Sequence, residues 1–291
     1  METIKNKRKK LIVSIVTFNS LEYIGDCLDS VLDNKPSCSC HVVVVDNDSQ
    51  DGTAEFIEKN YPQVTLIKNR QNMGFAAANN LAARNTDSQY ILLINSDCKV
   101  FEHSIQKLVD FMDKNKGAAV AGPKIINSDG SIQHSCRKFP SMLNATVHTL
   151  LTVVYPENPF SRKYKLADID KSKPFEVDWV SGSCMMVRRK AIEGAGMLDE
   201  KYFMYVEDLD ICFRMWKQGW KVYYFPYAKV LHHVGGSSGG KDIRASYRMQ
   251  KSVFRFFWKN HRRNWRVVFI PILVMVLSFR VMLTACKKVF G

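Results

Sequence analysis

Asp97 closes the apolar run Tyr90-Ile-Leu-Leu-Ile-Asn-Ser-Asp97, and Asp46 closes His41-Val-Val-Val-Val-Asp46 before the turn-rich Asn47-Asp48-Ser49-Gln50-Asp51-Gly52. A carboxylate at the carboxyl end of a buried strand faces the crevice where open α/β sheets bind ligands. Asp46 could accept hydrogen bonds from a nucleobase, with Thr17 and Asn19 beside it; Asp-Asn-Asp-Ser is equally good turn chemistry, so a turn cap is the competing reading. Asp97 offers a hard oxygen to Mg2+ or Mn2+, ions that commonly leave coordination positions for substrate phosphates. It could also be a surface acid at a strand end. Two such acids in one α/β frame suggest a site for something phosphorylated and metal-bound.

Two further clusters lie towards the carboxyl end. Glu207-Asp208-Leu209-Asp210 follows the aromatic run Tyr202-Phe-Met-Tyr205. Acids at a helix start are favoured by the dipole, which is a purely structural reading. At helical spacing Asp208 and Asp210 cannot face the same way. One could enter a cleft as a general base while the other caps the helix or holds an Arg such as Arg214. In Leu231-His232-His233-Val-Gly-Gly-Ser-Ser, imidazole is a good ligand for Mn2+-like metals and the glycines allow close backbone approach. A lone His pair is more often structural, and Gly235-Gly236 could be an ordinary flexible loop.

The elements that would position these groups are legible from periodicity. Short apolar strands are expected at Leu11–Val16, 41–45, 64–67, 90–94 and 118–121, with helices at 21–32, from Thr53 through Ile57, 76–84 and 104–114. Val42 to Val45 is an unbroken β-branched run, as expected of a strand covered on both faces. Strand and helix alternating at this spacing predict βαβ units and a largely parallel sheet. From 127 to 173 the pattern degrades into a polar, Pro-containing stretch that could cover the site. Order returns at 177–188, in a helix over 208–218 with Leu209, Cys212, Phe213 and Trp216 inward, and in a strand at 221–225.

The chain has 291 residues, 46% of them hydrophobic, which is ample for a large core. Its formal charge of +14 sits at the ends: residues 1–10 carry five Lys or Arg against Glu2, and residues 241–291 carry twelve against Asp242. The body, 11–240, is close to neutral, which weighs against a nucleic-acid-binding module. The 241–291 segment mixes its cations with Phe254, Phe256, Phe257, Trp258 and Trp265 before turning apolar over 267–278, broken by Pro271. That run is shorter than the roughly 20 residues of a transmembrane helix. A basic, aromatic-rich amphipathic segment suits an anionic membrane surface, with a helix packed on its own domain as the plainer reading. Deleting 241–291 is then expected to release the protein from membranes. The eight cysteines show no paired zinc spacing and no secretory signal is evident, which fits reduced thiols in the cytosol.

Taken in order, the motifs resemble family 2 glycosyltransferases of the GT-A fold, closest to the rhamnosyltransferase-like group of bacterial surface polysaccharide synthesis. The residues that carry the resemblance are Val13-Ser-Ile-Val-Thr-Phe-Asn-Ser20, Val45-Asp-Asn-Asp-Ser-Gln-Asp-Gly-Thr53, Asn72-Met-Gly-Phe75, Leu92-Leu-Ile-Asn-Ser-Asp97, Trp179-Val-Ser-Gly182, Glu207-Asp-Leu-Asp-Ile-Cys-Phe-Arg214 and His232 to Ser237. Ser135-Cys-Arg-Lys-Phe-Pro-Ser141 resembles a further element of that group. The resemblance implies an α/β GT-A domain, Rossmann-like with a mostly parallel central sheet, at 11–240. A basic tail at 1–10 precedes it, and membrane-associating helices at 241–291 follow.

It also implies roles. Asp46 would bind the base, with Thr17 and Asn19 beside it, and Asn72, Gly74 and Asn95 would line the nucleotide-sugar pocket. Asp97 would be the last acid of an Asp-x-Asp metal motif whose first acid is here Asn95. His232 matches the metal-site histidine better than His233, by its distance from Ser237. Asp208 would be the catalytic base with Glu207 as its neighbour, and Trp179 and Gly182 would shape the acceptor side. The implied cofactor is Mn2+ or Mg2+, and the implied reaction inverts the sugar's configuration. The donor would be a nucleotide-diphospho-sugar, dTDP-rhamnose first, with UDP-galactofuranose, UDP-glucose or UDP-N-acetylhexosamines as alternatives. The acceptor would be a lipid-linked glycan at the cytoplasmic face of the bacterial inner membrane, where the protein would be peripheral or re-entrant.

Overall fold

A computed structural model describes residues 9–142, 155, 158–233, 243–262 and 265–290. The elements run β1 (Lys9–Thr17), α1 (Leu21–Asp33), β2 (Cys40–Asp46), α2 (Thr53–Asn60), β3 (Thr65–Lys68), α3 (Phe75–Arg84), β4 (Ser88–Asn95), β5 (Cys98–Val100), α4 (Ser104–Lys114), β6 (Ala118–Ile126) and β7 (Cys136–Arg137). They continue with α5 (Pro159–Tyr164), β8 (Phe175–Val177), β9 (Trp179–Val180), β10 (Cys184–Arg188), α6 (Arg189–Gly194), α7 (Glu207–Trp216), β11 (Lys221–His232), α8 (Ile243–His261), a 3-10 turn (Trp265–Phe269) and α9 (Ile270–Phe290).

The alternating first half builds the parallel block β3-β2-β1-β4, in which Thr17 stands beside Asp46 and Val16 beside Asn95. Strand ends that match in register are what bring residues distant in sequence to one edge. Val42 to Val45 are fully covered, as their β-branched run requires. Helix α3 is made of small residues, so it lies close on the sheet; Ser14 Oγ reaches Asn79 Oδ1 at 2.7 Å across that contact.

Beyond β4 the sheet is mixed. β10 is antiparallel to both β4 and β6, β11 returns parallel to β6, and β5 and β8 pair antiparallel with β11. β10 enters the sheet from the edge where β4 ends, with Cys184 opposite Ile94. The loop before it, Ser181 to Ser183, is thereby placed against Asn95 and Cys98. β11 runs well past the expected 221–225, absorbing Pro226 within a register shift between Phe225 and Lys229. One expected orientation is corrected in α7. Trp216 is 52% exposed, and Leu209, Ile211, Cys212 and Met215 take the core face. Trp216 instead stacks on Phe213 and meets Phe139 edge-on.

The segment after 240 is tied into the body. Phe256 and Phe257 of α8 and Leu273 and Leu277 of α9 are buried in the same cluster as Met185, Cys212 and Val222. Among the described residues no helix is long and apolar enough to cross a membrane. Most of the basic 1–10 segment, Gly235 to Ser237 and Arg263 lie outside the described residues.

Candidate active site at the carboxyl edge of the sheet

Asp46 sits 3% exposed at the end of β2, and its carboxylate stitches two turns together. Thr17 Oγ1 donates to Oδ1 at 2.7 Å, Ser49 Oγ donates to Oδ1 at 2.6 Å, and the Ser49 amide donates to Oδ2 at 3.0 Å. The turn-cap reading is therefore realised, while Oδ2, with one bond, keeps capacity for another donor. Asn19, in the left-handed region, faces the same turn: its amide donates to Ser49 Oγ and its side chain accepts from the Gln50 amide.

Asn47 extends this corner to the α3 entrance, donating from Nδ2 to the Gly74 carbonyl at 3.3 Å. Asn72 Oδ1 accepts from the Gly74 amide at 2.9 Å, closing the turn that starts α3. Gly74 has φ +82, and a Cβ there would collide with the Phe203 carbonyl, which also accepts from the Phe75 amide. Only glycine fits at that position. The contact pins the loop before α7 against the Asp46 corner.

Asn95 and Asp97 close β4. The Asn95 amide donates to the Ser183 carbonyl at 2.9 Å, and Ser96 Oγ donates to Ser20 Oγ at 2.9 Å. His232 Nε2 lies 3.3 Å from Asp97 Oδ1 and 3.5 Å from Asn95 Nδ2, while its Nδ1 is 3.2 Å from Gln133 Oε1. The Gln133 carbonyl oxygen selects the tautomer with hydrogen on Nδ1, which turns the Nε2 lone pair towards the carboxylate. Two acceptors so close suit a shared cation; neighbouring ligands of an octahedral ion at its usual bond lengths lie about 3 Å apart. Cys98 completes the group of potential ligands, but its thiol donates to the Ser183 carbonyl at 3.3 Å. The carboxylate and imidazole that remain fit Mn2+ or Mg2+. His233 turns away, with Nδ1 3.0 Å from Ser128 Oγ and its ring against Tyr23.

Asp208, partly exposed at the start of α7, accepts from the Gly182 amide at 2.8 Å and from the Leu209 amide at 2.7 Å. Gly182 packs against the base: a Cβ there would be in van der Waals contact with Asp208 Cβ at 3.4 Å and the Phe75 ring at 3.5 Å. Burial raises the Asp208 carboxyl above the ordinary value, an effect partly offset by those two amides and by the Arg137 guanidinium. Glu207 is 5% exposed, and burial, reinforced by the charge of Asp208, pushes its carboxyl well above the ordinary range. Its surroundings therefore favour the protonated form. Asp210 faces the opposite way, fully buried, where Arg214 Nε donates to it at 2.7 Å.

Trp179 is 5% exposed, donates from Nε1 to the Lys138 carbonyl at 3.0 Å, and carries the Arg137 guanidinium 4.9 Å from its ring centre. Its route to the cleft is through Arg137, which sequence reasoning quoted within a motif without giving it a part. Gln133 and the Phe203 carbonyl were likewise unread; nothing in their residue types marks a role that depends on a distant partner.

A family model described as glycosyl transferase family 2 matches residues 12–195. An N-acetylglucosaminyl-diphospho-decaprenol L-rhamnosyltransferase of Mycobacterium tuberculosis is 34% identical over 77% of this chain and 76% of its own length. A dTDP-rhamnosyl transferase of Shigella flexneri is 27% identical over 86% of this chain and 78% of its own. Among solved structures, a mannosyltransferase from Pyrobaculum calidifontis in complex with GDP-Man and Mn2+ superposes with a TM-score of 0.61 at 17% identity, covering 98% of this chain and 76% of that one.

Proposed function

The chain belongs to glycosyl transferase family 2, and we propose that it transfers rhamnose from dTDP-rhamnose to a hydroxyl of a lipid-linked, diphosphate-bearing glycan in bacterial cell-surface polysaccharide synthesis. It is a glycosyltransferase of GT-A fold. The observation that carries the proposed chemistry is Asp208, a carboxylate held by two backbone amides at the edge where Asp46, Asn95, Asp97 and His232 also gather. The rhamnose assignment is supported by the likeness to the mycobacterial and Shigella enzymes.

In this reading Asp46, Thr17, Asn19, Asn72 and Gly74 hold the nucleotide. Asp97 and His232 would hold a divalent cation, Mn2+ or Mg2+, which would supply positive charge to offset that accumulating on the leaving diphosphate. Asp208 takes the proton of the acceptor hydroxyl as that oxygen attacks the anomeric carbon from the face opposite the diphosphate, so configuration inverts. The amides on Asp208 keep it oriented and favour its charged form. Burial of Glu207 opposes a second negative charge beside Asp208.

Asp208→Asn should lower turnover by about 10²–10⁴-fold, the usual worth of a general base, while dTDP still raises the melting temperature. Full turnover by that variant removes Asp208 from the base role. Exhaustive chelation should abolish transfer, and Mn2+ or Mg2+ should restore it. Thermal shifts with a panel of nucleotide diphosphates test the donor: a response to UDP but not dTDP overturns the rhamnose assignment.

The proposed location is the cytoplasmic face of the inner membrane, bound peripherally. Trp265, Val268, Phe269, Ile272, Met275 and Phe279 expose apolar surface next to the basic segment, a composition suited to an anionic headgroup layer.

A further inference from the structure

Arg137 is the strongest cation near the proposed base that no step above uses. β7 pairs antiparallel with β9, setting Arg137 opposite Trp179, and the Ser181 amide donates to the Ser135 carbonyl at 2.8 Å. These two paired segments therefore carry Arg137 on one and, on the other, the Gly182 amide that binds Asp208. The guanidinium lies 4.9 Å from the centre of the Trp179 ring and 5.9 Å from that of Tyr164. Tyr164 and Trp179 are themselves packed, with ring centres 6.5 Å apart. Stacking of this kind fixes the plane of an Arg and leaves its edge donors for a planar or tetrahedral anion. Among the described residues no carboxylate stands within ion-pair distance of Arg137, and its Nε is buried without a hydrogen-bond partner. Asp208 feels its charge and Tyr164 shares a hydrogen bond with it, yet this oriented, half-buried guanidinium keeps donors for an anion that arrives.

The base must touch the acceptor hydroxyl, and Arg137 lies across the β7–β9 pairing from the stretch that leads to Gly182, whose amide holds Asp208. We propose that Arg137 binds a phosphate carried by the acceptor, on the same sugar whose hydroxyl Asp208 deprotonates, and so selects acceptors that bear one. This rests on the proposed function above, which it deepens. Arg137 also lowers the proton affinity of Asp208, so an empty phosphate site leaves the base easier to ionise.

The test compares two acceptors at saturating dTDP-rhamnose: N-acetylglucosaminyl diphosphate on a short lipid, and an uncharged alkyl N-acetylglucosaminide. Arg137→Gln keeps the stem packed on Trp179 and is the first variant; Arg137→Lys is the rescue. Loss of one charge-assisted contact should raise KM for the diphosphate acceptor about 10- to 100-fold. KM for the neutral acceptor and for the donor should stay within about twofold, and Arg137→Lys should recover part of the loss. Equal losses on both acceptors, with a displaced acidic limb in the pH profile, would make Arg137 a positioning residue for Asp208 and overturn the inference. A raised KM for dTDP-rhamnose would move its phosphate to the donor, and unchanged constants would deny it any ligand. Wild-type enzyme that uses the neutral acceptor as well as the charged one overturns the selectivity while sparing the transferase reading. Transfer to neither acceptor overturns the acceptor class itself, and this inference with it.

Discussion

Two adjacent acids at the start of α7 have opposite surroundings, and the difference decides what each can do. Asp208 has two backbone amides on its oxygens, whereas Glu207 is buried with Oε2 lacking a hydrogen-bond partner. The ordinary Glu value is 4.5, and the folded protein holds Glu207 well above it. Below 4.5 both the folded and unfolded states carry the proton, so burial costs little. Above 4.5 the unfolded chain ionises while the folded one cannot, and stability declines as pH rises towards the folded value. Glu207→Gln removes that penalty. Its melting temperature should exceed that of the wild type by a margin that grows as pH rises above 4.5; a constant margin would show that Glu207 is already ionised in the fold. The sequence showed that Asp208 and Asp210 must diverge, since helical spacing forbids a common direction. It could not say which of the two meets Gly182, because that depends on β10 entering the sheet beside β4.

At the scale of elements, the loop before α7 is clamped by the helix expected to serve the membrane. Arg255 Nη2 and Lys259 Nζ both reach Asp199 Oδ2 at 2.9 Å, and Lys259 also reaches Asp210 Oδ1 at 2.9 Å. Ser252 Oγ donates to the Met204 carbonyl at 3.0 Å, one residue from the Phe203 carbonyl that packs on Gly74. Burial works to raise Asp199, but Lys259 and Arg255 outweigh it and hold the carboxyl down to about 2. The first half of the fold was legible because its βαβ units are local, each strand and helix marked by its own periodicity. The packing of α8 was not legible, because composition counts Arg255, Lys259 and Phe257 as a basic aromatic surface, whereas the partners Asp199 and Asp210 lie far away in sequence. Deleting 241–291 would thus strip cover from the core as well as from any membrane contact. Lys259→Met should cost about 1.5–3 kcal/mol in urea melts at pH 7, the range for a hydrogen bond to a charged group. Because Asp199 has a depressed folded value, its share of that stabilisation is present above 3.8 and fades as pH falls towards about 2. The variant and wild type should converge accordingly.

Over the whole molecule, charge and apolar exposure are gathered at the carboxyl-terminal end. α9 buries Leu273 and Leu277 on one side and exposes Ile272, Val274, Met275, Phe279 and Met282 on the other, between 42% and 66%. A helix apolar all round requires cover on both sides, and the protein supplies one. Trp265 at 70% and Val268 at 64% extend the uncovered area. A catalytic edge that acts on a lipid-linked glycan has to meet it at a bilayer, and the same helices that clamp Asp199 would then rest there. The deletion expected to test this is too blunt, so substitutions confined to the exposed face are preferable. Met275→Glu with Phe279→Glu spares every buried contact of α9. Removing two half-exposed side chains that gain about 1 kcal/mol each on insertion should weaken binding to phosphatidylglycerol vesicles at least about tenfold in a sedimentation assay. The melting temperature should not fall. Raised salt should weaken the wild type further, because part of its attraction is electrostatic and screened. Vesicle binding that survives both the double substitution and high salt would show that this face is not the one that meets lipid.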